Sequence, residues 1–316
     1  MRVHVVAGVI RDKTQRLLIA QHVKRDRYHG QWEFPGGKVE TGETNEAALA
    51  RELAEELGVD AQCSEPLIEV CYDYPDIRVR LSVLEVTKYV GVPHSREGQA
   101  LRWVSEKQLY ELDLLEANRP IAHAVTLPGH YVITDTRRYG VQATLTQLKY
   151  LLDGGIRLVQ VREKHMPADD YARFMQAVLE LCRRFDALVL GNTDPETAVA
   201  LGAHGIHLDS RRLQELDRRP LGAELWVAAS CHDRRELDHA RQIGADFAVL
   251  SPVKATRTHS DARTLGWSRF GALCRHADFP VYALGGMTRD DTCRARHAGG
   301  QGVAMISGAW ESTGHI

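Results

Sequence analysis

No apolar run in the chain approaches the roughly eighteen residues that a membrane-spanning helix needs, so a transmembrane helix is excluded. The opening stretch, MRVHVVAGVIRD, lacks a small-residue cleavage site and is interrupted by His4, so it reads as a strand and not as a signal peptide. Cysteines are scattered: Cys63, Cys71, Cys182, Cys231, Cys274 and Cys293 include no C-x-x-C pair. That spacing excludes a zinc finger or a disulfide frame and predicts free thiols in a reducing cytoplasm. An excess of one charge is missing as well. Lys and Arg number 40 against 42 Asp and Glu, a net charge of −2, which removes the electrostatic case for a nucleic-acid polymer as partner. The phosphate-binding loop G-x-x-x-x-G-K-[ST] does not occur, and no segment is of low complexity. What remains has the make-up of folded protein, with 44% hydrophobic and 26% charged residues. Its 316 residues are about twice a usual domain length.

The rhythm of the chain changes once. In the first part VHVVAGVI and RLLIAQHV flank the turn-prone RDKTQ, which predicts a hairpin. The glycine-rich FPGGKVETGE follows, and then the periodic helix NEAALARELAEEL, stopped by Gly58. Strands are expected around PLIEVCYDY and IRVRLSVLEVTKYV. The stretch ANRPIAHAVTLPGH has prolines, a glycine and no clear period, and reads as the linker between domains 1–128 and 129–316. Beyond it eight short apolar runs (HYVITD, RLVQVRE, ALVLGN, GIHLDS, LWVAAS, FAVLSPV, PVYALGG, GVAMISG) alternate with helical or irregular segments. Repeated βα units of this kind predict a parallel sheet, and eight of them predict a closed barrel.

The chemistry concentrates in residues 37–59. Leu49, Leu53 and Leu57 recur every fourth position and form the buried stripe of the helix. Glu52, Glu55 and Glu56 converge on another face, with Cβ atoms roughly 5–6 Å apart. Carboxylates so placed raise one another's pKa, and a hard divalent cation such as Mg²⁺ relieves the repulsion. Arg51 is expected to pair with Glu55 one turn on. Three glutamates alone usually mark a solvated face, but the flanking spacing sets this helix apart. Gly37, five residues, Glu43, seven residues, Arg51-Glu52-Leu53, one residue, Glu55-Glu56, one residue and Gly58-Val59 follow in order. This segment resembles the Nudix hydrolases, metal-dependent enzymes that cleave nucleoside diphosphates linked to another group.

The resemblance implies an α/β/α sandwich with a mixed sheet, with Mg²⁺ or Mn²⁺ held by the Gly36 carbonyl and by Glu52, Glu55 and Glu56. It is greatest to the MutT-type 8-oxo-dGTP diphosphatases, over VAGVIRD, QWEFPGGKVETGET, the helix, YDYPD, SREGQALRW and LEANRP. Carried over by position, Glu97 is a further metal ligand or base. Asn118 reads the oxidised purine through its amide, and Phe34 lines the base pocket. Lys38 is placed to meet phosphate charge. His22 and Ile77 depart from the type, each standing where an arginine is expected. The implied activity is conversion of 8-oxo-dGTP to the monophosphate and pyrophosphate, with Glu52 or Glu97 as base, as a safeguard against mutation in DNA replication and repair.

Residues 130–310 resemble thiamine-phosphate synthase and the thiazole tautomerases, through GGIRLVQVREK, GNTDPETAVALGAHGIHLD, ASCHDRRELDHARQIGADFAVLSPV, PVYALGGMT and GVAMISGAW. The resemblance implies that Gln160, Arg162 and Lys164 contact a pyrimidine and its pyrophosphate, beside Asn192. Gly285-Gly286 and Ser307-Gly308 fall after strands seven and eight, where barrels commonly bind phosphate. Two acids that should hold Mg²⁺ are displaced. Thr193 follows Asn192, and Ser210-Arg211-Arg212 follows Asp209. The tautomerase histidine is absent from Ser251-Pro252. His204 and His207, spaced H-x-x-H, read as ordinary packing or loop histidines. Two further readings stay open. The chain is then a thiamine-metabolism protein hydrolysing damaged thiamine pyrophosphate, or its barrel is a non-catalytic module that binds a phosphorylated, thiamine-related ligand or forms a homodimer surface.

Overall fold

The computed structural model describes residues 2–256 and 264–311. The chain divides into two compact units, Met1–Thr126 and Leu127–Ile316.

In the first unit β1 (Arg2–Ile10), β4 (Asp60–Asp73) and β5 (Arg78–Val90) form one sheet in the order β1-β5-β4. A second has the order β3-β2-β6, from β2 (Leu17–Gln21), β3 (Trp32–Glu33) and β6 (Leu101–Val104). Alternation along the strands sorts side chains to two layers. Val6, Ile10, Leu18, Leu84 and Val86 pack with Leu49, Leu53 and Leu57 of the helix Asn45–Leu57. Val9, Leu17, Ile19, Leu81 and Val83 pack with Ile121 and Val125 of the helix Arg119–Thr126 on the opposite face. This is the expected α/β/α sandwich, and β1 runs parallel to β5 while β4 is antiparallel, so the sheet is mixed.

Two sequence expectations are corrected. The turn after β1 forms, with Asp12 accepting from Thr14 and Arg16, but only the Arg11–Leu17 bridge joins β1 to β2. The edge of β1 away from β5 is occupied instead by the glycine-rich loop: the Gly8 and Val6 amides donate to the carbonyls of Pro35 and Gly37, each at 2.8 Å. A hairpin ladder has no free edge there. The linker also contracts, because Arg119–Thr126 is a helix whose Ile121, Ala122, Ala124 and Val125 are buried. Pro120 lies in its first turn, where no amide is needed for the helix.

All eight apolar runs of the second unit are strands: β7 (His130–Ile133), β8 (Leu158–Val161), β9 (Leu188–Gly191), β10 (Gly205–Leu208), β11 (Trp226–Cys231), β12 (Phe247–Leu250), β13 (Val281–Ala283) and β14 (Gly302–Met305). They close into a parallel barrel in the order β10-β11-β12-β13-β14-β7-β8-β9, ringed by helices. Its interior is filled, as the fold requires. Tyr131, Phe247 and Tyr282 meet there with ring centroids 5.5–5.8 Å apart.

Candidate functional site

The helix Asn45–Leu57 starts at Thr44, whose hydroxyl accepts from the Ala47 amide, and ends at Gly58 in the left-handed conformation. Ahead of it the loop lies flat on β1 because of two glycines. Gly36 has φ +149°, and a Cβ there would overlap the Val6 carbonyl. A Cβ on Gly37 would overlap the Glu52 carboxylate. No other residue permits this approach. With the Pro35 and Gly37 carbonyls spent on β1, the Gly36 carbonyl between them accepts no hydrogen bond among the described residues.

The carboxylates gather beside this loop. Burial, and then the charges of Glu52, Glu97 and Glu33, push Glu56 up to about 7, partly offset by the Gly36 amide. Glu97 reaches the cluster because its loop docks on the helix C-terminus. Arg96 N–H donates to the Glu56 carbonyl at 3.0 Å and Arg96 Nη1 to that of Ala54 at 3.0 Å. The buried Gln99 ties the loop down: Nε2 donates to the Glu56 carbonyl at 3.1 Å, while Oε1 accepts from the Glu97 amide and the Ser95 hydroxyl. Neither Gln99 nor Glu33 stood out in the sequence. Glu33 had a signal, its place directly before Phe34 on β3.

Arg51 pairs with Glu55 as expected, but its shorter contacts lie elsewhere. Its fork grips both Glu43 oxygens at 2.9 Å, Nη1 reaches Glu52 at 2.9 Å, and Nη2 donates to the Lys38 carbonyl. Glu55 is a marginal partner at 3.5 Å, since its side chain is 58% exposed and has no fixed geometry to offer. Arg51 therefore clamps loop to helix. Among the described residues no three His, Cys, Asp or Glu side chains are drawn together as a finished metal cage. Glu52 is turned to Arg51 and Glu55 to solvent. The donor set nevertheless fits a hard divalent cation: a carbonyl without a partner among the described residues and mutually repelling carboxylates, with the Glu56 pKa raised by burial and by those neighbours.

Just past β3, Asn118 is buried and its Oδ1 accepts from the Phe34 amide at 2.9 Å. That bond orients the side chain and leaves only its N–H groups to donate elsewhere. The Phe34 ring is itself in the core, 3% exposed. His22 is held through both nitrogens, by Glu33 at 2.8 Å and Asp26 at 3.1 Å, and the Glu33 contact foremost raises its pKa. A cation is thus favoured where arginine is missing. Ile77 closes a turn with Tyr74, whose ring packs against Tyr28 and Tyr72. Lys38 is exposed, with no ion pair among the described residues.

In the barrel, Gln160 is buried on β8, but Arg162 and Lys164 lie beyond the strand end and are exposed, with Glu163 buried between them. The three do not share one strand face. Asn192, one residue past β9, donates to the His207 carbonyl at 2.7 Å. His207 is enclosed between the Tyr131 hydroxyl at 3.0 Å and Ser230 Oγ at 2.8 Å, and burial pushes its pKa down to about 3. His204 instead accepts from the Val189 amide. The two histidines do not share a ligand. Gly285 and Gly286 have positive φ, and a Cβ on Gly286 would crowd the Ala255 carbonyl. Ser307 begins a short helix whose Gly308 abuts the Met287 carbonyl, so the two glycine loops interlock.

The Glu56 pKa generates a prediction. Raised above its ordinary value of 4.5 in the fold, it stabilises the metal-free protein fully below 4.5, and that contribution is lost as pH rises through about 7. Melting of metal-free protein between pH 5 and 8 should therefore show a fall that Glu56→Gln flattens. Identical slopes for both proteins would remove Glu56 as the cause.

A family model described as thiamine monophosphate synthase matches residues 130–309, and one described as NUDIX domain matches residues 1–125. The thiamine-phosphate synthase of Thioalkalivibrio sulfidiphilus is 30% identical over 186 residues, 58% of this chain and 88% of its own length. A structure from work on MutT of Aliivibrio salmonicida and Vibrio cholerae is 37% identical and covers 40% of this chain and 97% of that one, with a TM-score of 0.35. A thiamine phosphate pyrophosphorylase from Pyrococcus furiosus is 26% identical and covers 56% and 85%, with a TM-score of 0.48. The chain belongs, through its barrel, to the thiamine monophosphate synthase family, and it carries a NUDIX domain ahead of that barrel.

Proposed function

We propose that the first unit hydrolyses 8-oxo-dGTP to 8-oxo-dGMP and pyrophosphate, and that the barrel holds a phosphorylated ligand without making thiamine phosphate. One observation carries the first part: the complete signature spacing folds so that Glu52 rests on Gly37 while Glu33, Glu56 and Glu97 face one another. Glu52, Glu55, Glu56, Glu97 and the Gly36 carbonyl are the groups that would hold Mg²⁺ or Mn²⁺. When bound, the ion neutralises phosphate charge and acidifies a coordinated water. Water adds to phosphorus, the bridging P–O bond breaks, and Glu52 or Glu97 takes the proton. Lys38 meets phosphate charge at the loop, and His22 supplies a second positive group. The Asn118 N–H pair addresses the purine edge, its orientation set by the Phe34 amide.

Turnover of the full chain on oxidised nucleotides and on thiamine pyrophosphates tests this reading directly. Preference for a thiamine pyrophosphate would favour the thiamine-metabolism alternative, which the barrel's family supports. Glu55→Gln and Glu56→Gln should each lower kcat by about a hundredfold or more with the fold retained. Wild-type rates at limiting Mg²⁺ would remove those residues from the mechanism.

Asn118→Asp keeps the acceptor for Phe34 but removes the donors. The ratio of kcat/KM for 8-oxo-dGTP over dGTP should fall about tenfold or more. An unchanged ratio would mean that the base is read elsewhere.

The barrel is expected to give no detectable thiamine phosphate from a pyrimidine pyrophosphate and thiazole phosphate, because Thr193 and Arg212 stand where carboxylates are needed. Mg²⁺-dependent synthesis by the full chain would make the barrel a second enzyme.

A further inference from the structure

The carboxylates at the barrel mouth are committed in ways that oppose a metal. Asp209 Oδ2 takes the Lys164 ammonium at 2.5 Å, and its Oδ1 caps the next helix through the Arg212 amide at 3.1 Å. Asp194 Oδ1 caps another helix through the Thr197 amide at 2.8 Å, and its Oδ2 accepts from Thr193 at 3.2 Å. Both acids are fixed as helix caps, and the ordinary metal contribution of a free, paired carboxylate is not on offer. The expected Mg²⁺ site does not fit these residues.

Three cationic side chains stand near these two aspartates. Arg162, Lys164 and Arg212 converge on the His207–Asp209 strand end: Arg162 and Lys164 help to keep His207 neutral, and Lys164 and Arg212 act on Asp209. Among the described residues the Arg162 guanidinium has no ion pair or side-chain hydrogen bond. Asn192 lies beside it across the β8–β9 pairing, where Val161 is opposite Gly191. It is 7% exposed, and its Oδ1 has no hydrogen-bond partner. A buried acceptor of this kind is normally satisfied, so it calls for a donor on the organic part of a ligand, while the guanidinium beside it is the group that suits a phosphate.

We propose that the barrel mouth binds a phosphorylated ligand directly, with no divalent cation, through Arg162 and a Lys164 that Asp209 restrains. This rests on the reading of the barrel as a phosphate-ligand module. A dication would meet three cationic side chains there, whereas a phosphate dianion gains from all three and can compete with Asp209 for Lys164. Asp209 then acts as a counter-charge that weakens anion binding, opposite to the role of a metal ligand.

Calorimetric titration of the full chain with pyrophosphate, in EDTA and again in Mg²⁺, separates the alternatives. In EDTA the crowded carboxylates of the first unit repel pyrophosphate, so that arm reports the barrel. Binding is expected in EDTA, weakened about tenfold or more by Arg162→Ala. Asp209→Asn, which preserves a capping oxygen, should tighten it. Binding that appears only with Mg²⁺ and is lost in Asp209→Asn would overturn the proposal, since Asp209 would then be holding the ion. Binding in EDTA that Arg162→Ala leaves unchanged would also overturn it. No binding under either condition would overturn the phosphate-ligand reading itself and the proposal with it.

Discussion

The close approach of the Glu52 carboxylate to Gly37 organises the first unit: it fills the space that a Cβ at position 37 would take. It requires the loop to be pressed against β1, which the Gly8 and Val6 amides accomplish by bonding the carbonyls on either side of Gly36. It also requires the helix to hold its height, which the caps at Thr44 and Gly58 and the stripe of Leu49, Leu53 and Leu57 provide. Strand, loop and helix are thereby joined through hydrogen bonds and a shared core. Arg51 then offsets part of the acidic charge, spanning Glu43, Glu52 and the Lys38 carbonyl.

The remaining charge is unbalanced by construction. Glu56 is half-buried beside three other carboxylates, and burial first and then their charges raise its pKa. Such an arrangement persists because the surrounding structure determines it: Gln99 anchors the Glu97 loop to the same helix end, and His22 holds Glu33. A site with surplus negative charge is suited to a cation and, through it, to phosphate.

The barrel mouth has the reverse balance. Its aspartates serve as helix caps and as a lysine partner, Arg162, Lys164 and Arg212 stand beside them, and the enclosed His207 is kept neutral between Tyr131 and Ser230. On the proposed reading the two units would meet phosphate in different electrostatic forms, one through a cation and one through arginine and lysine.

Local pattern determined much of this. The spacing from Gly37 to Val59 set the helix bounds, its buried stripe and its acidic face, because each depends on neighbours within a few residues. The eight apolar runs likewise became the eight barrel strands, since strands buried on both faces need no partner to be recognised. Pairing was different. That β1 lies beside β5 and receives the loop, so that no hairpin ladder forms, depends on competition for one strand edge between segments far apart in sequence. The helix Arg119–Thr126 looked like a linker until the sheet supplied a surface for Ile121 and Val125. The partners of Arg51, Asn118, His22 and Asp209 were also decided only in three dimensions. A charged or amide side chain has several acceptors within reach along the chain, and burial and distance choose among them.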